Sequence, residues 1–303
     1  MIADPRILAR SLFLSHHLAE FLLACAAANL DVIVLKGAAL WETMYDIPGQ
    51  RDFRDIDVLV RTADAVLART VLETLGYSVD TVHWASLISE QDCQADFAKQ
   101  TPGGPVIIEL HTNLINNDLL WGSAAVDLEG LWRRAESVTL SGVSTRMLGP
   151  EDQILHLCLH LAGHYFDAPR SVLDISQVCR ARNVDWELLT AIAKCTHATA
   201  IAWSALRLSN ALVPKHVMDL LAPRLNWRRH WLERLTRAKQ LNDRHRFLLL
   251  LLLLDNPLSV PRVLWRVLFP TRRWLLDHYA PGVDPTPTLR FLYASHVRFL
   301  LRL

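Results

Sequence analysis

The sequence predicts an α+β chain: one N-terminal helix, a small mixed-sheet block, and then an all-helical block. Three observations carry this. Short apolar, β-branched runs such as Asp31–Leu35 and Val106–His111 alternate with helical stretches up to residue 148. Gly149-Pro150-Glu151-Asp152 then joins a chain break to a helix start. Beyond it the apolar spacing is helical almost to the end. The 303 residues leave room for two cores, and the predicted division is 1–148 and 149–303.

The elements follow in order. Asp4-Pro5 pairs an N-cap with a first-turn proline, so a helix runs to about Ala28. Asp31–Leu35 reads as a buried strand ending at Lys36-Gly37, and a helix follows from Ala38 to about Tyr45. Pro48 and Gly49 break the chain before a strand over Ile56–Val60. Thr62 caps a helix that reaches Leu75 and closes at Gly76. Tyr77–Val82 reads as a strand, Ser89–Gly104 as a loop with a weak strand, and Val106–His111 as a clear strand. Two weak strands follow near 137–140 and 144–148. Helices are expected near 150–165, 171–182, 185–195, 197–212, 214–222, 226–254, 258–268 and 286–302. Pro281, Pro285 and Pro287 mark a loop before the last of these.

Hydrophobic residues make up 51% and charged residues 21%, which excludes a disordered chain. Five scattered cysteines lack C-x-x-C spacing, and the N-terminus lacks a signal-peptide pattern; both point to a reducing, cytoplasmic setting. Phe247–Leu254 is continuously apolar but too short for a membrane span, which needs about 20 residues. It reads as a core helix, with a membrane-surface or partner-binding helix as the alternative. The charge is uneven. Residues 1–220 hold 17 basic and 26 acidic side chains, whereas residues 221–303 hold 15 and 5. A basic block of that kind suits nucleic acid, an anionic surface or phosphate, or is simply a solvated helical face.

The chemistry centres on Asp55-Ile56-Asp57. Side chains alternate along a strand, so the two carboxylates share one face while Ile56 turns to the core. Paired carboxylates repel unless a cation neutralises them, and a hard divalent ion with oxygen ligands is the natural occupant. Upstream, Lys36 and Gly37 stand where a strand turns into a helix, a place suited to phosphate. Downstream, Glu109 and His111 share one strand face, and a carboxylate between Ile108 and Leu110 is poorly explained by packing.

Together LKGAAL (35–40), RDFRDIDVLV (51–60), LETLGY (72–77), IELH (108–111) and GPEDQILHLCLHLAGH (149–164) resemble the polymerase β-like nucleotidyltransferase superfamily. The narrower likeness is to uncharacterised bacterial nucleotidyltransferases with "LKG" in the turn, and it covers roughly residues 30–180. The resemblance implies a nucleotidyltransferase core closed by a helical domain. Asp55, Asp57 and Glu109 would be the catalytic and metal-holding carboxylates, with Mg²⁺ or Mn²⁺ as cofactor and an NTP as substrate. Lys36, Gly37, Arg51 and Arg54 would bind the nucleotide, and His111, His160 and Asp174 would support the site. Two departures stand out: the superfamily's usual Gly-Ser or Gly-Gly is here Lys36-Gly37, and the third carboxylate is Glu rather than Asp.

His156, His160 and His164 share a helix face at metal-compatible spacing, but no Cys or Glu joins them there; they read as cleft histidines, His160 foremost. The acceptor implied is a peptide (as near lasso peptide biosynthesis), a small metabolite or RNA. The rival readings are a toxin-type enzyme modifying tRNA, a non-catalytic nucleotide-binding protein, and a membrane-associated interaction protein.

Overall fold

The computed structural model describes residues 4–47, 49–89, 93–115, 124–238, 240–280 and 288–300. Helix α1 (Pro5–Ala27) starts as expected, with the Asp4 side chain accepting from the Arg6 amide. It buries Leu14, Leu18 and Phe21 completely in the main core. Among the described residues it is also the one helix long and apolar enough to cross a membrane.

Seven strands form one mixed sheet in the order β3-β4-β5-β2-β1-β7-β6. They are β1 (Ile33–Val34), β2 (Ile56–Leu59), β3 (Ser78–Val79), β4 (Gln94–Thr101), β5 (Gly104–His111), β6 (Glu136–Leu140) and β7 (Val143–Met147). The central β2 lies parallel to β5 and antiparallel to β1. One face of the sheet is apolar: Ile56, Val58, Ile108, Leu110, Ala95 and Phe97 enter the main core. The other face carries a small cluster, Ile33, Leu35, Leu59, Leu131 and Trp132, and beside it the polar side chains of β2 and β5.

The structure revises several expected elements. Lys36 is the first residue of α2 (Lys36–Thr43) rather than part of a turn before it. The expected Thr62–Leu75 helix opens with a 3₁₀ turn, Thr62–Asp64, before α3 (Ala65–Thr74). The weak strand expected within Ser89–Gly104 is the full eight-residue β4, hairpin-paired to β5 through Pro102-Gly103. The strand expected over Tyr77–Val82 stops at Val79, because Asp80 caps α4 (Thr81–Ile88) by accepting from the Val82 and His83 amides. Helix α5 (Leu128–Arg134) was not foreseen.

From Pro150 onward every described regular element is helical: α6 (Pro150–Gly163), α7 (Pro169–Ala181), α8 (Trp186–Cys195), α9 (Thr199–Leu208), α10 (Lys215–Leu221), α11 (Asn226–Thr236), α12 (Asp243–Leu253), α13 (Val260–Leu268), α14 (Arg272–Tyr279) and α15 (Leu289–Leu300), with one 3₁₀ turn at Pro257–Ser259. The single helix expected over 226–254 is two, because Asn242 caps α12 through the His245 amide. The leucine run buries Leu249, Leu250, Leu252 and Leu253, as a core helix should. Pro48, Pro281, Pro285 and Pro287 lie outside the described residues. Arg134 grips Asp152 through two hydrogen bonds of 2.7 and 2.9 Å, tying the start of α6 to α5. All five cysteines are free.

Candidate active site

Strand register builds the site. Asp57 on β2 pairs with Glu109 on the parallel β5, so both carboxylates project from the same face side by side. His111 lies two residues further along β5 on that face, fully buried, with Nε2 3.2 Å from Asp57 Oδ1 and 3.5 Å from Glu109 Oε2. Ligand atoms of Asp57, Glu109 and His111 all fall within 4.8 Å of one another. Asp55 stands at the bend just before β2 and faces the same cleft.

Lys36 reaches this cluster from the start of α2. Its Nζ is 2.5 Å from Asp57 Oδ1 and 3.8 Å from Glu109 Oε2, and its side chain is buried. The backbone there is unusual for a lysine, with φ at +42°. Such left-handed geometry costs on the order of 1–3 kcal/mol and clusters at functional sites. Gly37 answers a packing demand: a Cβ there would come within 2.6 Å of Phe53 Cβ. Phe53 belongs to the segment that delivers Arg54 and Asp55, so a small residue at 37 lets that segment lie against α2.

The electrostatics are uneven. Burial alone would raise Asp57, but the Lys36 charge and the His111 hydrogen bond outweigh it and hold Asp57 well below the usual carboxylate range. Burial would lower His111, but its bonds to the carboxylates and Cys93 hold it well above the usual imidazole value. Glu109 is pushed up to about 7, by burial first and the Asp57 charge second. Asp55 is raised by the same two causes. Lys36 thus neutralises Asp57, while Asp55 and Glu109 are left short of positive charge. Three carboxylates offering oxygen ligands, two of them under-compensated, fit a hard divalent cation.

These side chains open into a cleft of about 660 Å³. The sheet supplies its floor through Asp57, Glu109 and Gln94, and α2 contributes Lys36 and Gly37. Arg51, Phe53, Arg54 and Asp55 line one side, and His160, His164 and Ala168–Ser171 of the helical block line the other. The cleft therefore gathers most residues expected from sequence. Arg51 is committed elsewhere: its Nε and Nη2 donate to Asp174 at 2.9 and 2.8 Å, and Tyr45 donates its hydroxyl to the same carboxylate at 2.6 Å. Asp174 is buried and holds Arg51 at the cleft wall. His160 and His164 meet edge to face with ring centroids 4.6 Å apart. Burial and the Lys36 charge hold both below the usual histidine value, while His156 is buried behind them.

Sequence reasoning missed Gln94, Tyr45 and Arg170. Gln94 opens β4, expected only as a weak strand of unspecified bounds. Arg170 follows Pro169 in the first turn of α7 and donates to Asp52 at 2.6 Å, a link between the two sides of the cleft. Tyr45 lies just past the end of α2, and nothing in its sequence context pairs it with Asp174.

No curated protein matches the chain. Among solved structures it is similar to an antigenic nucleotidyltransferase-like protein from Paracoccidioides brasiliensis, at 16% identity over 68% of this chain and 96% of that chain. The TM-score is 0.35. Residues 6–214 match the family described as uncharacterised nucleotidyltransferases, well over half of the sequence. The chain belongs to that family of uncharacterised nucleotidyltransferases.

Proposed function

We propose that this protein is a divalent-metal-dependent nucleotidyltransferase that moves a nucleoside monophosphate from an NTP to an acceptor hydroxyl or phosphate, releasing pyrophosphate. The observation that carries this reading is the parallel register of β2 and β5, which sets Asp57 beside Glu109 with Asp55 at the same cleft. Asp55 and Asp57 would hold Mg²⁺ or Mn²⁺. The metal, when bound, supplies charge neutralisation at the triphosphate and Lewis-acid activation of the α-phosphorus.

The chain's own residues do the rest in this proposal. Glu109 would complete the site, either as a further ligand to the metal or, its pKa pushed up to about 7 by burial and the Asp57 charge, as the base that takes the acceptor hydroxyl's proton. His111 orients Asp57 and Glu109 through Nε2. Lys36 guards the carboxylates and turns its ammonium toward the β- and γ-phosphates once they arrive. Arg54 and Arg170 add charge at the mouth, and Arg51, braced by Asp174, shapes the wall. Residues 149–303 act as the unit that closes the cleft, with His160 facing the acceptor. A peptide, a small metabolite or RNA is the acceptor class, and the setting is cytoplasmic.

The test uses NTPs labelled at the α- or γ-phosphate, Mg²⁺, and pools of tRNA, peptides or small metabolites. Label from the α-position should enter an acceptor, γ-label should leave as pyrophosphate, and Asp57→Ala should abolish both. Transfer of the γ-label to acceptor would instead make the protein a kinase.

A further inference from the structure

Outside the cleft, the most unusual surface is the turn and helix that span residues 257–269, which lie beyond the family match at 6–214. Helix α13 is apolar on two sides. Val263 is buried, and Val260 and Val267 pack beside it onto the main core. Leu264, Trp265, Leu268 and Phe269 follow the i, i+1, i+4, i+5 spacing of one helix face, and that face is turned to solvent. Trp265 is 64% exposed, and its ring lies 4.4 Å from that of Phe269. Leu258, in the preceding turn, is 83% exposed and extends the patch. Arg262 and Arg266, one turn apart, run along its edge.

A soluble helix normally turns one apolar stripe inward and a polar face outward. Here the outward face is aromatic and aliphatic, and the polar residues flanking it are basic. More than half of the large exposed hydrophobics among the described residues fall after residue 220, in the segment with 15 basic and 5 acidic side chains. Exposed apolar and excess positive surface therefore coincide. RNA would be drawn by the charge but has no use for five exposed apolar side chains gathered on one short helix and the residues at its two ends. An acidic protein partner meets the charge, yet the Trp, Phe and Leu set edged by Arg suits the boundary between headgroups and acyl chains.

We propose that the 257–269 turn and helix dock this protein on an anionic membrane surface, Leu258, Leu264, Trp265, Leu268 and Phe269 entering the interface and Arg262 and Arg266 facing acidic headgroups. Vesicles of phosphatidylcholine, with or without phosphatidylglycerol, test this with the full-length chain by co-sedimentation. The wild type should sediment with the anionic vesicles only, and salt should release it. Trp265→Ser/Phe269→Ser should abolish sedimentation, and Arg262→Gln/Arg266→Gln should weaken it at least about tenfold. Unchanged thermal melting would show that both variants are folded. The proposal is overturned if the wild type stays in the supernatant at low salt, or if the aromatic variant sediments as well as wild type. It is equally overturned if light scattering shows that the patch is covered by a second copy, or if tRNA, unaffected by Trp265→Ser/Phe269→Ser, strips the protein from the vesicles.

Discussion

Asp57 is the residue on which the site turns, because three charged neighbours converge on it. Lys36 and His111 both contact its Oδ1, and Glu109 is its strand partner. Strand alternation puts Asp55 with Asp57, and Glu109 with His111, on shared faces in the sequence, and the nucleotidyltransferase resemblance joins them into one expected site. The contact between His111 and Asp57 was not legible there, because it depends on how β2 and β5 align, and one sequence does not carry that register. If His111 orients the metal-holding carboxylates, His111→Ala should weaken Mn²⁺ binding about 10–100-fold, measured by titration of the free ion. Asp174 has a different role. It is almost fully buried and accepts from Nε and Nη2 of Arg51 and from the Tyr45 hydroxyl. Asp174→Ala strips that guanidinium of its carboxylate partner and leaves it the Asp52 carbonyl and the cleft, so it should cost about 1–3 kcal/mol in urea unfolding.

Among the elements, the meeting of α2 with the 51–55 segment sets the cleft's shape. Gly37 lines the cleft, where the sequence reading has it admit phosphate, and a Cβ added to it would come within 2.6 Å of Phe53 Cβ. Gly37→Ala should therefore destabilise by about 1–3 kcal/mol through overpacking. Gly37→Ala/Phe53→Ala should recover part of that cost in a double-mutant cycle; a purely additive result would deny the contact. The elements misread have physical causes. Strand β4, QADFAKQT, buries only Ala95 and Phe97, so its apolar signal is faint. Its hairpin turn at Pro102-Gly103 was the better clue. Helices α4 and α12 start at Asp80 and Asn242, side chains that cap helices well, but the neighbouring apolar runs masked those signals. The helices from Pro150 to Leu221 match the expected ones nearly to their ends, whereas 226–254 divides in two and α14 is unforeseen.

The molecule as a whole joins its sheet and its helical block through one hydrophobic cluster that extends from Leu14 to Val263. Buried histidines at that junction make stability depend on pH. His156 and His160 are held well below 6.5, by burial first and the Lys36 charge second. Unfolding returns them to 6.5, so below that value the unfolded chain binds more protons. Their contribution is fully present above pH 6.5 and is lost as pH falls. Glu109 runs the other way: its folded pKa of about 7 exceeds its ordinary 4.5, so its ionisation penalises the fold as pH rises across that window. Comparing His156→Leu with wild type isolates the first effect. The urea midpoint of the variant relative to wild type should rise as pH drops through about 6.5, and an offset independent of pH would contradict it.

The central claim is that Asp55, Asp57 and Glu109 form a metal centre for a nucleoside triphosphate, and it can be tested without knowing the acceptor. The measurement is Mn²⁺ binding followed by electron paramagnetic resonance, with and without a non-hydrolysable NTP, for wild type and Asp57→Asn. The wild type should bind Mn²⁺, bind it more tightly with the nucleotide, and lose both on substitution. Equal Mn²⁺ and nucleotide binding by wild type and Asp57→Asn would contradict the metal centre.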